Sequence, residues 1–146
     1  MLFFEQQMNQ STDNMAKLEV WANMPVKDVE RTREFFKQLG FKVNGSHESP
    51  EIASFIFSDD HFVIHFFRKD LFEKSAGNAV TETAKGSEIM FTIGAESQAA
   101  VDSFKEIVIK AGGAVVTEPT KIPEGYNFVF ADLDDHRWNV FYRNPQ

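Results

Sequence analysis

The sequence predicts an α+β protein built from two βαβββ modules, whose strands together form a cupped mixed β-sheet. Residues with helical spacing occur in the first half of the chain at Val29, Thr32, Phe36 and Leu39. The same spacing returns 72 positions later (29 to 101), at Val101, Phe104, Val108 and Ala111. A glycine ends each stripe, Gly40 and then Gly112, again 72 positions apart (40 to 112). Two unrelated helices would not be expected to share both the apolar spacing and the terminal glycine, so the pattern indicates that the two halves of the chain are a duplicated module.

The elements of module one (residues 18–68) follow in the order strand, helix and three strands. Residues 18–24 are rich in apolar side chains and predict the first strand, and Asp28 is the candidate N-cap of the helix. The later strands are predicted at residues 41–44, 52–57 and 62–67.

Module two (residues 87–142) repeats this order after a linker at residues 69–86, in which Leu71 and Phe72 predict a short helical turn. Its first strand is predicted at residues 88–93, and Ser97 stands ahead of the helix. The later strands are predicted at residues 114–117, 126–130 and 138–142. A ferredoxin-like βαββαβ domain is the competing architecture, but it has one strand fewer in each half. Residues 1–17 are polar beyond their first few positions and predict a flexible tail.

Composition excludes several classes of partner and site. A net charge of −7 and a pI near 5.1 argue against nucleic acid as a partner, since phosphate binding needs a clustered basic face. The chain has no cysteine, and therefore no disulfide, thiolate metal site or cysteine nucleophile. No segment has the length and hydropathy of a membrane span, so we expect no membrane partner and a cytoplasmic protein. The 16 phenylalanines indicate either an aromatic core or an aromatic-walled ligand cavity.

Two segments resemble a known superfamily. The segment that opens module one, residues 23–43, reads NMPVKDVERTREFFKQLGFKV, and the closing segment, residues 131–142, reads ADLDDHRWNVFY. They are similar to the opening strand-helix unit and the last strand of vicinal-oxygen-chelate proteins, which include glyoxalases, bleomycin resistance proteins and extradiol dioxygenases. The resemblance implies the glyoxalase/bleomycin-resistance/dioxygenase fold over almost the whole chain, and it implies a homodimer.

The resemblance also assigns four positions that hold a divalent metal in the enzymes of that superfamily. They fall on Trp21, His65, Glu88 and Asn139. Trp21 cannot coordinate a metal and Asn139 replaces a glutamate, so at most two of the four positions carry a suitable donor. Aligning the two hairpins by their Asp-His turns would instead match Asn139 with Ile64 and leave Glu88 alone. A catalytic metal normally needs three protein ligands, and we therefore expect no cofactor and no functional metal.

Side chains alternate between the two faces of a strand, so residues two positions away from these four should share their face. If Glu88 and Asn139 face a cleft, then Met90, Thr92, Arg137 and Phe141 face it too, and Trp21 brings Asn23. The predicted ligand-binding residues are Trp21, Asn23, His65, Glu88, Met90, Arg137, Asn139 and Phe141. A mostly apolar cup with a few polar groups is typical of a small-molecule pocket. The alternative is a plainly buried surface with Glu88 paired to Arg137. Trp138 and Val140 are expected to face the helices.

The turn before the last strand is rich in acidic residues. Asp132, Asp134 and Asp135 lack the glycine and closing glutamate of an EF-hand loop, so we interpret them as a solvated turn. His136 follows them and is expected to make local hydrogen bonds.

Two functions remain open at this point. The first is a protein that binds or sequesters a small, amphipathic or partly aromatic molecule in the cleft. The second is a relative of lactoylglutathione lyases or dioxygenases in which Glu88 serves as general base, with or without a divalent metal. A purely structural dimer module, with its cleft filled by phenylalanines, is a third possibility.

Overall fold

The computed structural model describes residues 18–45 and 49–146, so the predicted flexible tail lies outside the described residues. Module one comprises strand β1 (Ala22–Val26), helix α1 (Val29–Gln38) and strands β2 (Lys42–Val43), β3 (Ile52–Ile56) and β4 (Val63–Arg68). Its sheet has the order β1-β4-β3-β2. β1 runs parallel to β4, and the other two pairings are antiparallel.

Module two has the same topology. Helix α2 (Lys69–Ala76) lies in the predicted linker, and strand β5 (Phe91–Gly94), helix α3 (Gln98–Ala111) and strands β6 (Ala114–Ile122), β7 (Gly125–Ala131) and β8 (Arg137–Arg143) follow. The second sheet has the order β5-β8-β7-β6, with β5 parallel to β8. The predicted pair of βαβββ modules is confirmed, and the ferredoxin-like alternative is wrong because the strands form two separate four-stranded sheets.

The predicted start and stop signals of the repeated helices are confirmed. The Asp28 carboxylate accepts a hydrogen bond from the Arg31 backbone N–H at 3.1 Å, and the Ser97 hydroxyl accepts one from the Ala100 N–H at 3.0 Å. Gly40 and Gly112 follow the helices with φ of 96° and 99°, a left-handed conformation that favours glycine.

One hydrophobic core joins the two modules. The Phe36 ring of α1 stacks on Phe66 of its own sheet at 4.6 Å and also lies 5.4 Å from the Trp138 ring of β8. Phe57 stacks on Trp138 at 5.4 Å. Trp138 and Val140 are buried as expected. Because the buried faces of both sheets turn toward this shared core, their opposite faces turn away from it. We call these outer surfaces the open faces.

The first strand of each module begins later than predicted. β1 pairs with β4 from Ala22 onward and β5 pairs with β8 from Phe91 onward. The residues before Ala22 and Phe91 form no β-ladder hydrogen bonds, because β4 and β8, the partner strands, begin only one residue before the first paired position. Apolar side chains in both segments are consequently exposed to solvent in the single chain: Leu18, Val20, Trp21, Ile89 and Met90. Within the described part of the chain, no helix combines the length and apolar character needed to cross a bilayer.

Candidate functional site

The open face of module one carries two of the predicted site residues. The Trp21 and His65 rings lie 6.3 Å apart, and His65 stacks on Phe67 at 6.0 Å. Trp21 and His65 line a cavity of about 710 Å³, and every residue lining it belongs to module one. The face therefore offers an aromatic surface beside the His65 imidazole, and His61 also lines the cavity.

The strand registers settle which residues are equivalent in the two modules. His65 pairs with Asn23 on β1, and Asn139 pairs with Thr92 on β5. The hairpin turns agree, since His61 and Asp135 both have positive φ (60° and 63°) and are 74 positions apart, as are residues 65 and 139. Asn139 is thus equivalent to His65 rather than to Ile64. The dipeptides Asp60-His61 and Asp135-His136 are therefore offset by one position in their turns, and matching them directly pairs the wrong residues.

Glu88 does not occupy the position expected for it. By the same registers, Trp21 precedes Asn23 by two residues and Met90 precedes Thr92 by two, so Met90 is the equivalent of Trp21. Glu88 lies outside β5 and is exposed. Neither first-strand position therefore carries a carboxylate or an imidazole.

The open face of module two is a chain of polar side chains beside an aromatic ring. Asn127 Nδ2 donates to Asn139 Oδ1 at 2.8 Å, and Asn139 Nδ2 donates to Thr92 Oγ1 at 3.2 Å. The half-buried Phe141 lies directly opposite Asn127 in the β7–β8 register. These hydrogen bonds orient the Asn139 amide and give this face fixed donors and acceptors.

Three other predicted site residues meet elsewhere. Asn23, Glu88 and Arg137 line a cavity of about 290 Å³ where the segment before β5 approaches the edge strand β1. No ion pair joins Glu88 to Arg137 in the described structure, so the paired, plainly buried alternative is wrong. The eight predicted residues thus divide among the two open faces and this cavity, and their contact with a ligand stays a prediction.

The donors at the superfamily's metal positions do not fit a catalytic divalent metal within one chain. Trp21 and Met90 offer no ligand atom of the kind such a metal prefers, and Asn139 Oδ1 already accepts a hydrogen bond. Across residues 18–45 and 49–146, no three His, Cys, Asp or Glu side chains are grouped to hold a metal ion.

The acidic turn before β8 is a buried hydrogen-bond network, not the solvated turn that was expected. The Asp132 carboxylate accepts from the His136 and Asp134 backbone N–H groups at 3.0 and 2.9 Å and from Trp138 Nε1 at 3.0 Å. His136 Nδ1 lies 3.1 Å from the same carboxylate. Asp132 and His136 are buried, and only Asp135 in this turn is exposed. The sequence feature that could have indicated this burial is the apolar strand β8 directly after the turn, because packing of that strand places the turn against the core.

The protonation of His136 reflects these neighbours. Burial is the largest single influence and lowers the pKa of the imidazole, but the hydrogen bond to Asp132 and the carboxylates of Asp132, Asp134 and Asp135 outweigh it, so the His136 pKa is raised. Burial raises the pKa of Asp134, whose carboxylate accepts from the Lys27 backbone N–H at 2.9 Å.

The raised pKa of His136 makes stability depend on pH. The folded state binds a proton more tightly than the unfolded state, whose histidine titrates at about 6.5. The stabilisation is complete below that pH and is lost as the pH rises through the higher folded-state pKa. Urea unfolding of the wild type and of His136→Gln should therefore differ more at pH 6 than at pH 9. An equal difference at both values would contradict the assignment.

Comparisons with known proteins agree with this architecture. Residues 19–55 match the family described as bleomycin resistance protein-like N-terminal. No curated protein matches the chain significantly. Among solved structures, a hypothetical protein from Staphylococcus aureus is 28% identical with a TM-score of 0.75, covering 85% of this chain and 92% of its own.

Two more distant structures show the same fold. A glyoxalase-related enzyme from Fulvimarina pelagi has a TM-score of 0.76 at 19% identity, covering 87% of this chain and 88% of its own. A genomically encoded fosfomycin resistance protein from Listeria monocytogenes has a TM-score of 0.65 at 16% identity, covering 88% and 94%. The chain thus has the glyoxalase/bleomycin resistance/dioxygenase fold, and its residues 19–55 match the bleomycin resistance protein-like N-terminal family, in agreement with the vicinal-oxygen-chelate resemblance of its sequence.

Proposed function

We propose that the protein is a homodimeric binding protein for a small, amphipathic or partly aromatic organic molecule, held between an open face of one copy and an open face of the other. The observation that carries the proposal is the shared core. Since the buried faces of both sheets turn toward it, both open faces turn away from it, and every residue lining the cavity on the first open face belongs to module one. A second copy supplies the missing wall.

The exposed apolar residues support a second copy as the covering partner. Leu18 and Val20 are 73% and 80% exposed, and Ile89 is 71% exposed. These side chains lie immediately before the edge strands β1 and β5, where each open face begins. Large exposed apolar side chains beside an edge strand are typical of a protein interface.

The composition of the two faces supports an organic ligand. Trp21, His65 and Phe67 of one copy would provide an aromatic wall, and Asn127, Asn139 and Phe141 of the other would provide oriented amides and one ring. An apolar pocket with a few fixed polar groups discriminates among small organic molecules. The degraded metal positions favour binding over metal-assisted chemistry in this pocket.

Metal dependence separates this proposal from the metal-dependent form of the enzymatic alternative, in which Glu88 is a general base aided by a divalent ion. Purified protein should contain no stoichiometric divalent metal by elemental analysis, and Zn²⁺, Ni²⁺, Mn²⁺ or Fe²⁺ should leave its Tm unchanged, because only a ligand specific to the folded state raises it. A stoichiometric metal whose stabilising effect disappears in His65→Ala would overturn the proposal and favour the enzyme. Exposed Glu124→Ala serves as the control variant.

A further inference from the structure

The segment between α2 and β5, residues 77–90, covers a cavity with two chambers, here called the linker cavity. One chamber has a volume of about 260 Å³ and the other about 290 Å³. They share the walls formed by Pro25, Val80, Thr81, Thr83 and His136. The covering segment is fastened by Thr83 Oγ1, which donates to the Asp134 carbonyl at 2.7 Å, and by the Val80 N–H, which donates to Glu73 Oε2 at 3.0 Å.

His136 stands at the junction of the two chambers with one ring nitrogen unused. The side chain is only 9% exposed, and its Nδ1 is engaged by the Asp132 carboxylate, which is itself only 3% exposed. A carboxylate that accepts from Trp138 and two backbone N–H groups keeps its role as acceptor, and Nδ1 therefore carries a proton. No hydrogen bond to Nε2 is made by the described residues. The raised pKa of His136 favours the imidazolium, in which Nε2 also carries a proton and can donate it to an anionic ligand.

Arg137 places a second cation on the same cavity. Arg137 is half-buried and lines the larger chamber together with His136, and its guanidinium forms no ion pair or hydrogen bond with the described residues. Two acidic residues that line the smaller chamber have other partners than Arg137. The Asp134 carboxylate accepts from the Lys27 backbone N–H, and Glu82 forms an ion pair with Lys85 at 2.8 Å. A planar guanidinium without a partner is suited to bidentate recognition of a carboxylate.

The rest of the larger chamber is apolar. The half-buried side chains of Met24, Phe72 and Phe91 form part of its wall. Cationic and apolar groups in one cavity select a ligand with an anionic head and an apolar body. We propose that the linker cavity binds a small monocarboxylic acid, whose carboxylate is held by His136 Nε2 and the Arg137 guanidinium and whose apolar body packs against Met24, Phe72 and Phe91.

The surrounding charges distinguish a carboxylate from a phosphate. Asp134 and Asp135 line the smaller chamber, and Glu88 lines the larger one. These carboxylates repel a phosphate dianion more strongly than a carboxylate monoanion bound in the same cavity. The cavity is separate from the open faces, so the proposal does not depend on the dimeric cleft.

Calorimetric titration with phenylacetate tests the proposal on the intact chain. We expect one site per chain, with phenylacetamide and inorganic phosphate binding at least about tenfold more weakly, because each lacks one of the two recognised features. Arg137→Met and His136→Gln should each weaken phenylacetate binding by about tenfold or more. Lys121→Met, an exposed charge removal on β6, should leave it unchanged.

A measurement on the wild type guards against misfolding of the His136 variant. Binding of phenylacetate should shift the His136 ring ¹⁵N resonances, and phenylacetamide should not. The proposal is overturned if phenylacetate does not bind, if phosphate or phenylacetamide binds as tightly, or if a folded Arg137→Met protein keeps the wild-type affinity. Loss of binding in Trp21→Ala alone would place the ligand on the open face and would also overturn it.

Discussion

Replacement of Phe36 by alanine is expected to lower the free energy of unfolding by about 3–5 kcal/mol, the range for removing a large aromatic side chain from a core. The ring is 1% exposed and contacts both sheets, lying 4.6 Å from Phe66 and 5.4 Å from Trp138. The truncation would leave a void between the modules because neither sheet can close on the space alone. Urea unfolding monitored by circular dichroism measures the change.

The matched control for this variant is Phe67→Ala. Phe67 is a half-buried ring on the open face of β4, so its loss should cost about 1–2 kcal/mol by the area removed from water. Unfolding of Phe36→Ala should also remain a single transition, since both modules use the same core. Two separate transitions, or a loss no larger than that of Phe67→Ala, would show that the modules have independent cores.

The second large effect is expected at Asp132. Asp132→Asn should destabilise the protein by roughly 3 kcal/mol, because the new amide N–H₂ faces buried donors that the carboxylate satisfied. Trp138 Nε1 donates to Asp132 Oδ2 at 3.0 Å, and His136 Nδ1 lies 3.1 Å from the same oxygen. Asn keeps the size of the side chain and removes the second acceptor.

Asp135→Asn is the control, since it removes one charge from the same turn at an exposed position. Asparagine tolerates the left-handed conformation of residue 135, and the change should stay within about 0.5 kcal/mol. Chemical denaturation of both variants at pH 7 makes the comparison. Equal stability of the two would mean that the turn is solvated, as its composition alone had indicated.

The duplicated architecture could be predicted because its signals are local. Helix spacing, the Asp28 and Ser97 caps and the glycines at 40 and 112 each act over a few residues, and each recurs in the structure. The starts of β1 and β5 could not be predicted as well. An apolar run has the same sequence pattern whether its residues pair in a β-ladder or lie exposed beyond the end of the partner strand, so the pattern does not show where pairing starts.

The candidate site was harder to predict because it depends on how the modules are joined. Alternation correctly placed His65 and Asn139 away from the core, since period two is a property of each strand. It could not place Glu88, which lies before β5, or show that His136 would be buried. Burial of His136 follows from the packing of Trp138 and the linker segment, which are contacts between distant parts of the chain.

Cross-linking tests most directly whether the two open faces meet only between copies of the chain, as we propose. The protein has no cysteine, so His65→Cys and Asn139→Cys each introduce a single reactive thiol. A short bis-maleimide added to a mixture of the two variants should give a covalent dimer containing one chain of each. Efficient cross-linking within the monomeric double variant, with none between chains in the mixture, would contradict the account.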